Sequence, residues 1–266
     1  MTGKAKLIDL SKCMGCRACQ VACKQWNRLP AEKTDFFAHG GGYQNPSALS
    51  PSTWRVVKFY EKTSKDGVVI WRFRVHACMH CISAACMDIC PAEPKAMSRD
   101  AATGFVYVNE DNCIGCGSCV EACPFNVPHV DQAAAKARKC TGCVDRIEHG
   151  REPACAQTCP PDAISFGDLA ELLAKARARE EELGKQGFKP YVYGIKERSG
   201  MRTLYILPEG REFYDLPANP VSPAGISRFK RFREAMKDDG LPLTAGAIQE
   251  FWARSGTGDT TACRVV

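Results

Sequence analysis

No run of eighteen apolar residues occurs anywhere in the 266-residue sequence, so no bilayer-crossing helix is expected. The opening Met-Thr-Gly-Lys-Ala-Lys-Leu-Ile-Asp lacks the apolar stretch of a secretory leader, so no signal peptide of its own is expected either. A Walker-type phosphate loop is missing, and the Gly-x-Gly at 115–117 lies inside a cysteine ladder. The five histidines are scattered. Together these absences exclude a visible site for turning over an organic substrate, so no residue is assigned a catalytic role.

Cysteine, by contrast, is abundant, with seventeen in the chain. Cys113-Ile-Gly-Cys116-Gly-Ser-Cys119-Val-Glu-Ala-Cys123-Pro124 reads C-x2-C-x2-C-x3-C-P. In that bacterial ferredoxin run, three close thiolates hold one [4Fe–4S] cube and the fourth reaches another. Cys13, Cys16, Cys19 and Cys23 repeat the spacing. Cys78, Cys81, Cys86 and Cys90 widen the second gap to four residues, and Cys140, Cys143, Cys155 and Cys159 widen it to eleven. These are motifs I (13–23), II (78–90), III (113–123) and IV (140–159). Sixteen cysteines thus make four sets of four, enough for four cubes.

A cube offers four iron corners, and each takes one soft thiolate. Gly15, Gly115, Gly117 and Gly142 sit inside the tight loops, where positive φ or close backbone approach is expected. Structural zinc calls for two separated C-x2-C pairs, not three cysteines in seven residues followed by a fourth. Disulfides suit short secreted chains, and repeated x2 pairs are poor cross-linking geometry. His80, between two cysteine ligands, is expected outside the iron shell or at the surface. Cys263 has no partner set and reads as a free tail thiol.

The formal charge of +6 counts every cysteine as neutral. Sixteen thiolates and four oxidised cores of about +2 each bring the loaded chain to about −2, which removes most of the case for a nucleic-acid partner. Lys12, Arg17, Lys24, Lys136, Arg138 and Lys139 are candidates for balancing cluster charge, with a solvated face as the alternative.

In chain order, residues 4–10 read as a strand and 17–27 as a helix. Residues 30–53 are rich in Gly, Pro, Ser and Asn and read as an extended loop. Residues 54–61 and 68–75 form a hairpin around Ser64-Lys65-Asp66-Gly67. A strand at 104–109 enters motif III as 5–9 enters motif I, an internal repeat. Residues 125–139 link to motif IV, and 162–166 form a strand. A helix over 168–183 has Asp168 as its N-cap and Gly184 as its stop. Strands near 191–195 and 204–207 follow, then helical patches near 228–237 and 245–253. The fold class is α+β.

Beyond spacing, Ala5-Lys-Leu-Ile-Asp9, Trp26-Asn27, Asn45-Pro46, Asn112-Cys-Ile-Gly-Cys116, Cys123-Pro-Phe-Asn126 and Lys139-Cys-Thr-Gly-Cys143-Val-Asp-Arg146 carry a resemblance. So do Glu152-Pro-Ala-Cys155 and Thr158-Cys-Pro160. Over about residues 4–207 the chain resembles the iron–sulfur β subunit of respiratory formate dehydrogenases. The resemblance implies a catalytic α subunit with a molybdenum or tungsten bis-pterin, which oxidises formate and passes electrons singly through four [4Fe–4S] clusters to a cytochrome b γ subunit or another carrier.

The resemblance also supplies the pairing. Cys13, Cys16, Cys19 and Cys159 form set A; Cys23, Cys140, Cys143 and Cys155 set B; Cys78, Cys81, Cys86 and Cys123 set C; Cys90, Cys113, Cys116 and Cys119 set D. It implies two nested ferredoxin-like modules, 1–74 with 136–167 around an inserted 75–135. Residues 168–266 then form a C-terminal α/β extension for capping and partner docking. The relatives' membrane-anchoring C-terminal helix has no counterpart here. Export with a twin-arginine-signalled partner implies a periplasmic location, with the cytoplasm as the alternative. The equivalent subunit of another molybdopterin oxidoreductase (dimethyl sulfoxide, polysulfide, tetrathionate or nitrite reductase) and a free-standing polyferredoxin remain the other readings.

Metal analysis of anaerobically prepared protein is expected to give about sixteen irons per chain. Zinc or sulfur–sulfur bridges in their place would refute the cysteine reading.

Overall fold

A computed structural model describes residues 3–34, 43–221 and 225–255. The glycines at 40–42 and Cys263 lie outside the described residues. Strands β1 (Lys4–Asp9), β8 (Ile164–Asp168), β9 (Tyr191–Tyr193) and β10 (Thr203–Leu207) form one sheet in the order β8–β1–β10–β9. β1 runs parallel to β10 and antiparallel to β8. The expected division at 168 therefore falls between two strands that both bond to β1.

Period-two alternation gives this sheet two different faces. Ala5, Leu7, Val192, Leu204 and Ile206 face α6 (Leu169–Lys185), where Leu169, Leu172, Ala176 and Leu183 repeat at helical spacing. Burying each of those leucines contributes about 2 kcal/mol. Ile8, Tyr193, Tyr205 and Leu207 belong instead to the core that contains Cys19, Cys23, Cys140 and Cys155. The sheet thus separates a hydrocarbon layer from the layer of sulfur.

Helix α6 begins where expected, but the Asp168 side chain makes no capping hydrogen bond and pairs with Lys4 at 3.1 Å. Its end differs from expectation. Gly184 lies within the helix, which ends at Lys185, and the left-handed residue is Gly187 (φ +87°). An exposed glycine can be carried inside a helix when a second one downstream supplies the positive φ.

The hairpin of β2 (Val56–Thr63) and β3 (Val69–His76) pairs Val56 with His76 and Thr63 with Val69. Ser64 Oγ accepts from the Val68 N–H at 3.1 Å, closing its turn. Tyr205 Oη donates to the Val75 carbonyl at 2.6 Å, fastening the hairpin to the sheet. Two smaller hairpins complete the strands: β4 (Met97–Arg99) with β5 (Val106–Val108), and β6 (His129–Asp131) with β7 (Lys136–Arg138). The last pair corrects the reading of 125–139 as a plain link. Three-residue strands carry too little alternation to be seen in sequence.

The helices that follow cysteine loops are short: α1 (Ala18–Trp26), α2 (Ala85–Ile89), α3 (Ser118–Ala122), α4 (Val144–Glu148) and α5 (Ala154–Gln157). The tail forms α7 (Gly225–Asp238) and α8 (Ala245–Arg254), with Thr244 Oγ1 accepting from the Ala247 N–H at 3.2 Å as an N-cap. Phe229 stacks on Trp252 (centroids 5.1 Å apart) and Phe232 on Phe251 (4.8 Å). This aromatic seam packs on Ala85, Ile89, Cys116 and Ala122, so the tail covers cysteine-bearing helices. Among the described residues no helix is long and apolar enough to cross a membrane.

Tyr205→Phe deletes one buried hydrogen bond without altering volume. A loss of about 1 kcal/mol is expected, read as a lower melting temperature; an unchanged melting temperature would show that the hairpin is held by other contacts.

Candidate metal centres

Each cysteine loop turns tightly and aims backbone N–H groups at sulfur. The same local geometry recurs: His80 N–H donates to Cys78 Sγ at 3.4 Å and Gly142 N–H to Cys140 Sγ at 3.4 Å, each from two residues on. Ala137 N–H reaches Cys113 Sγ at 3.3 Å across the chain. Gly15, Gly115, Gly117 and Gly142 all have positive φ, as expected. Space reinforces this at two of them. A Cβ on Gly115 would lie 2.5 Å from the Ala135 carbonyl oxygen, and one on Gly142 would lie 2.7 Å from the Phe105 ring.

Packing then brings distant motifs together. α1 of motif I lies against α5 of motif IV, and α2 of motif II against α3 of motif III. Cys78, Cys81, Cys86 and Cys123 line one small cavity of about 30 Å³. Cys90, Cys113, Cys116 and Cys119 line a second, of about 20 Å³. Elsewhere Cys13 has Cys159 and Cys16 as its charged neighbours, while Cys23 has Cys140, Cys155 and Cys143. None of the sixteen forms a disulfide. Among the described residues no three His, Cys, Asp or Glu side chains converge as a single metal ion requires. Four sulfurs around a shared cavity instead suit a cube with an iron at each corner.

Burial pushes the thiols of Cys19, Cys86 and Cys143 up to about 12 and that of Cys123 to about 11. Burial and then the neighbouring thiolates also raise Cys119. Ligation requires the deprotonated form, so a positively charged core is what such a crowd of sulfurs needs. Cys140 goes the other way. Burial acts to raise it, but Lys6, then Arg55, the Gly142 N–H and Lys139 hold it below the ordinary thiol value.

Of the six basic residues proposed from sequence, Lys139 alone is fully buried among sulfurs. Lys136 Nζ donates to the Cys113 carbonyl at 2.8 Å, and Lys24 Nζ to that of Ser52 at 2.7 Å. Arg17 lies over the Phe59 ring, Arg138 pairs with Glu110, and Lys12 is exposed. Sequence reasoning missed Lys6 and Arg55, which are 0% and 1% exposed. The available signal was a cation among the apolar residues of β1 and another between Trp54 and Val56.

Of the two positions expected for His80, outside the iron shell or at the surface, the structure excludes the surface: the ring is wholly buried, with Nδ1 accepting from the Val106 N–H at 3.1 Å. That leaves Nε2 to donate toward Cys140 Sγ, 3.5 Å away. Burial, with Lys6 and Lys139 nearby, keeps the ring neutral by lowering its pKa well below the usual value. A residue of motif II thereby touches a cysteine of motif IV.

A family model described as a 4Fe-4S dicluster domain matches residues 69–169, and a second of the same description matches residues 12–94. Such a span reports which cysteine motifs it contains, not which sulfurs share a cavity. The chain is 39% identical over 253 residues to the Escherichia coli nitrate-inducible formate dehydrogenase iron–sulfur subunit, covering 93% of this chain and 84% of that one. It is 38% identical over 247 residues to the formate dehydrogenase-O iron–sulfur subunit of the same bacterium (91% and 80%). The formate dehydrogenase 2 subunit beta (cytochrome c-553) of Nitratidesulfovibrio vulgaris is 37% identical over 216 residues (79% and 96%).

Gly142→Ala places a methyl group against the buried Phe105 ring at a positive-φ position. Loss of one cluster, about four irons per chain, is expected. An unchanged iron content would show that the loop tolerates the extra carbon.

Proposed function

The chain belongs to the family of formate dehydrogenase iron–sulfur subunits, and from that premise we propose how its residues carry out electron transfer. Sets A, B, C and D each hold one [4Fe–4S] cluster, four in all, forming a relay between a Mo- or W-bis-pterin catalytic subunit and a downstream acceptor. The observation that carries the reading is that two cavities are each lined by one complete set drawn from two separate motifs. The α1–α5 and α2–α3 packing supports the nested pairing of I with IV and of II with III. The same packing supports modules of 1–74 with 136–167 around 75–135, and the extension from 168 returns β9 and β10 to the sheet of β1 and β8.

Bound clusters supply one-electron carriage; the polypeptide supplies their insulation and position. Thiolates of Cys13, Cys16, Cys19 and Cys159 hold the first cluster, and Cys16 is its exposed corner. Exposed Met14 and Val21 flank that corner in sequence and suit a partner that covers it. N–H groups of His80, Gly142 and Ala137 stabilise negative sulfur. Aromatic and aliphatic residues of the surrounding cores keep water away from the buried cysteines.

The catalytic subunit, where formate is oxidised to carbon dioxide, and a cytochrome or other carrier complete the proposed path. The relative named for cytochrome c-553 supports a carrier of that class. A periplasmic location through co-export with a twin-arginine-signalled partner belongs to the same reading, and cell fractionation separates it from a cytoplasmic one.

A native preparation is expected to bring down a pterin subunit and to reduce viologen with formate. Reduction of a sulfur or nitrogen oxide instead would assign the chain to another molybdopterin oxidoreductase, and a monomer without a pterin partner would make it a polyferredoxin. Cys119→Ala is expected to lose or convert one cluster and slow electron delivery while formate oxidation at the partner persists. Full iron content with normal delivery would contradict the assignment of Cys119.

A further inference from the structure

Lys6, Arg55 and Lys139, the last 2% exposed, are the most deeply buried lysines and arginines among the described residues. Burying a charge is costly unless an opposite charge or hydrogen-bonding partners accompany it. Among the described residues none of the three pairs with a carboxylate. Arg55 Nε and Nη1 have no hydrogen-bond partner at all. The negative charge facing these cations is sulfur. Lys6 Nζ lies 3.8 Å from Cys140 Sγ, and Cys155 and Cys143 are its other sulfur neighbours. Arg55 is surrounded by Cys155, Cys19, Cys140 and Cys23. Lys139 stands between Cys86, Cys123 and Cys140, its ammonium donating to the Val106 and Cys140 carbonyls.

The distribution is uneven. All three cations act on Cys140 of set B, Arg55 reaches Cys19 of set A, and Lys139 reaches Cys86 and Cys123 of set C. The cations near set D are instead open to water: Lys136 Nζ donates to the Cys113 carbonyl at 2.8 Å, and Lys95, Arg233 and Lys237 share a surface cavity with Cys90, all of them half-buried or exposed. Accepting an electron makes a cluster one unit more negative. A fixed positive charge in a poorly screened interior favours that reduced form, and the guanidinium of Arg55 cannot shed its proton.

We propose that Lys6, Arg55 and Lys139 make the cluster held by Cys23, Cys140, Cys143 and Cys155 the highest-potential site of the four. The unpartnered N–H groups of Arg55 are the donors available to that cluster. The relay is then not a downhill staircase; set B takes the first electron and holds it in the interior. This inference rests on the four-cluster reading above.

The test is an anaerobic redox titration of the native complex, followed by electron paramagnetic resonance, with iron counted in every sample. Arg55→Gln is expected to reduce the occupancy of the highest-potential signal about tenfold at fixed potential, a downward shift of about 59 mV for one electron. The signals of the clusters whose sulfurs Arg55 does not neighbour should stay in place. Arg55→Lys should recover most of the shift, which a purely structural role would not predict. Lys6→Met provides a second route to the same downward shift if Arg55→Gln loses iron. Unmoved potentials in iron-replete variants, or an equal shift in all four signals, would overturn the inference while leaving the ligand sets intact. Fewer than about sixteen irons in the unaltered complex would instead count against the four-cluster reading.

Discussion

Sixteen cysteines gathered in four motifs inside one small protein create an electrostatic problem before they create a function. Burial penalises the thiolates of Cys19, Cys86, Cys119 and Cys143, and neighbouring thiolates add to the penalty, so these thiols are pushed up. Positive inorganic cores relieve that repulsion, and so do the buried cations Lys6, Arg55 and Lys139. Backbone N–H groups at positive-φ loops supply the remainder without introducing side chains. The arrangement is local in its parts and collective in its effect.

The central sheet decides where these parts stand. β1 and β10 are almost two hundred residues apart in sequence, yet they pair in parallel, Lys6 opposite Thr203 and Asp9 opposite Ile206. One face of the pair is closed by the leucines of α6, so alternate residues are free to face sulfur. Lys6 lies in the middle of that strand, where rigid pairing on both sides fixes its ammonium near Cys140. Tyr205, on the neighbouring strand, anchors the hairpin whose approach carries Arg55. Charge placement is therefore a consequence of strand register.

The tail helices extend the same logic to the other end of the cysteine network. Trp252 Nε1 donates to Ser118 Oγ at 3.2 Å, and Ser118 Oγ lies 3.6 Å from Cys116 Sγ. Phe229, Phe251 and Trp252 cover the short helices that carry those residues. An apolar cover there lowers local polarity beside Cys116 and Cys119.

Cysteine spacing alone identified iron–sulfur chemistry, the tight loops and their glycines, because ligand geometry is set by a few consecutive residues. The longer periodic elements were legible for the same reason: β1, the β2–β3 hairpin, α6, and the helices α7 and α8. Three-residue strands such as β6 and β7 escaped, since so short a run has no period to read. Tertiary structure decided what depends on distant neighbours. It drew Cys123 to Cys78, Cys81 and Cys86, placed His80 against Cys140, and enclosed Lys6 and Arg55 among sulfurs. A lysine in a strand is normally solvated, and only the closing of β8 and β10 on either side of β1 turns this one into a buried charge.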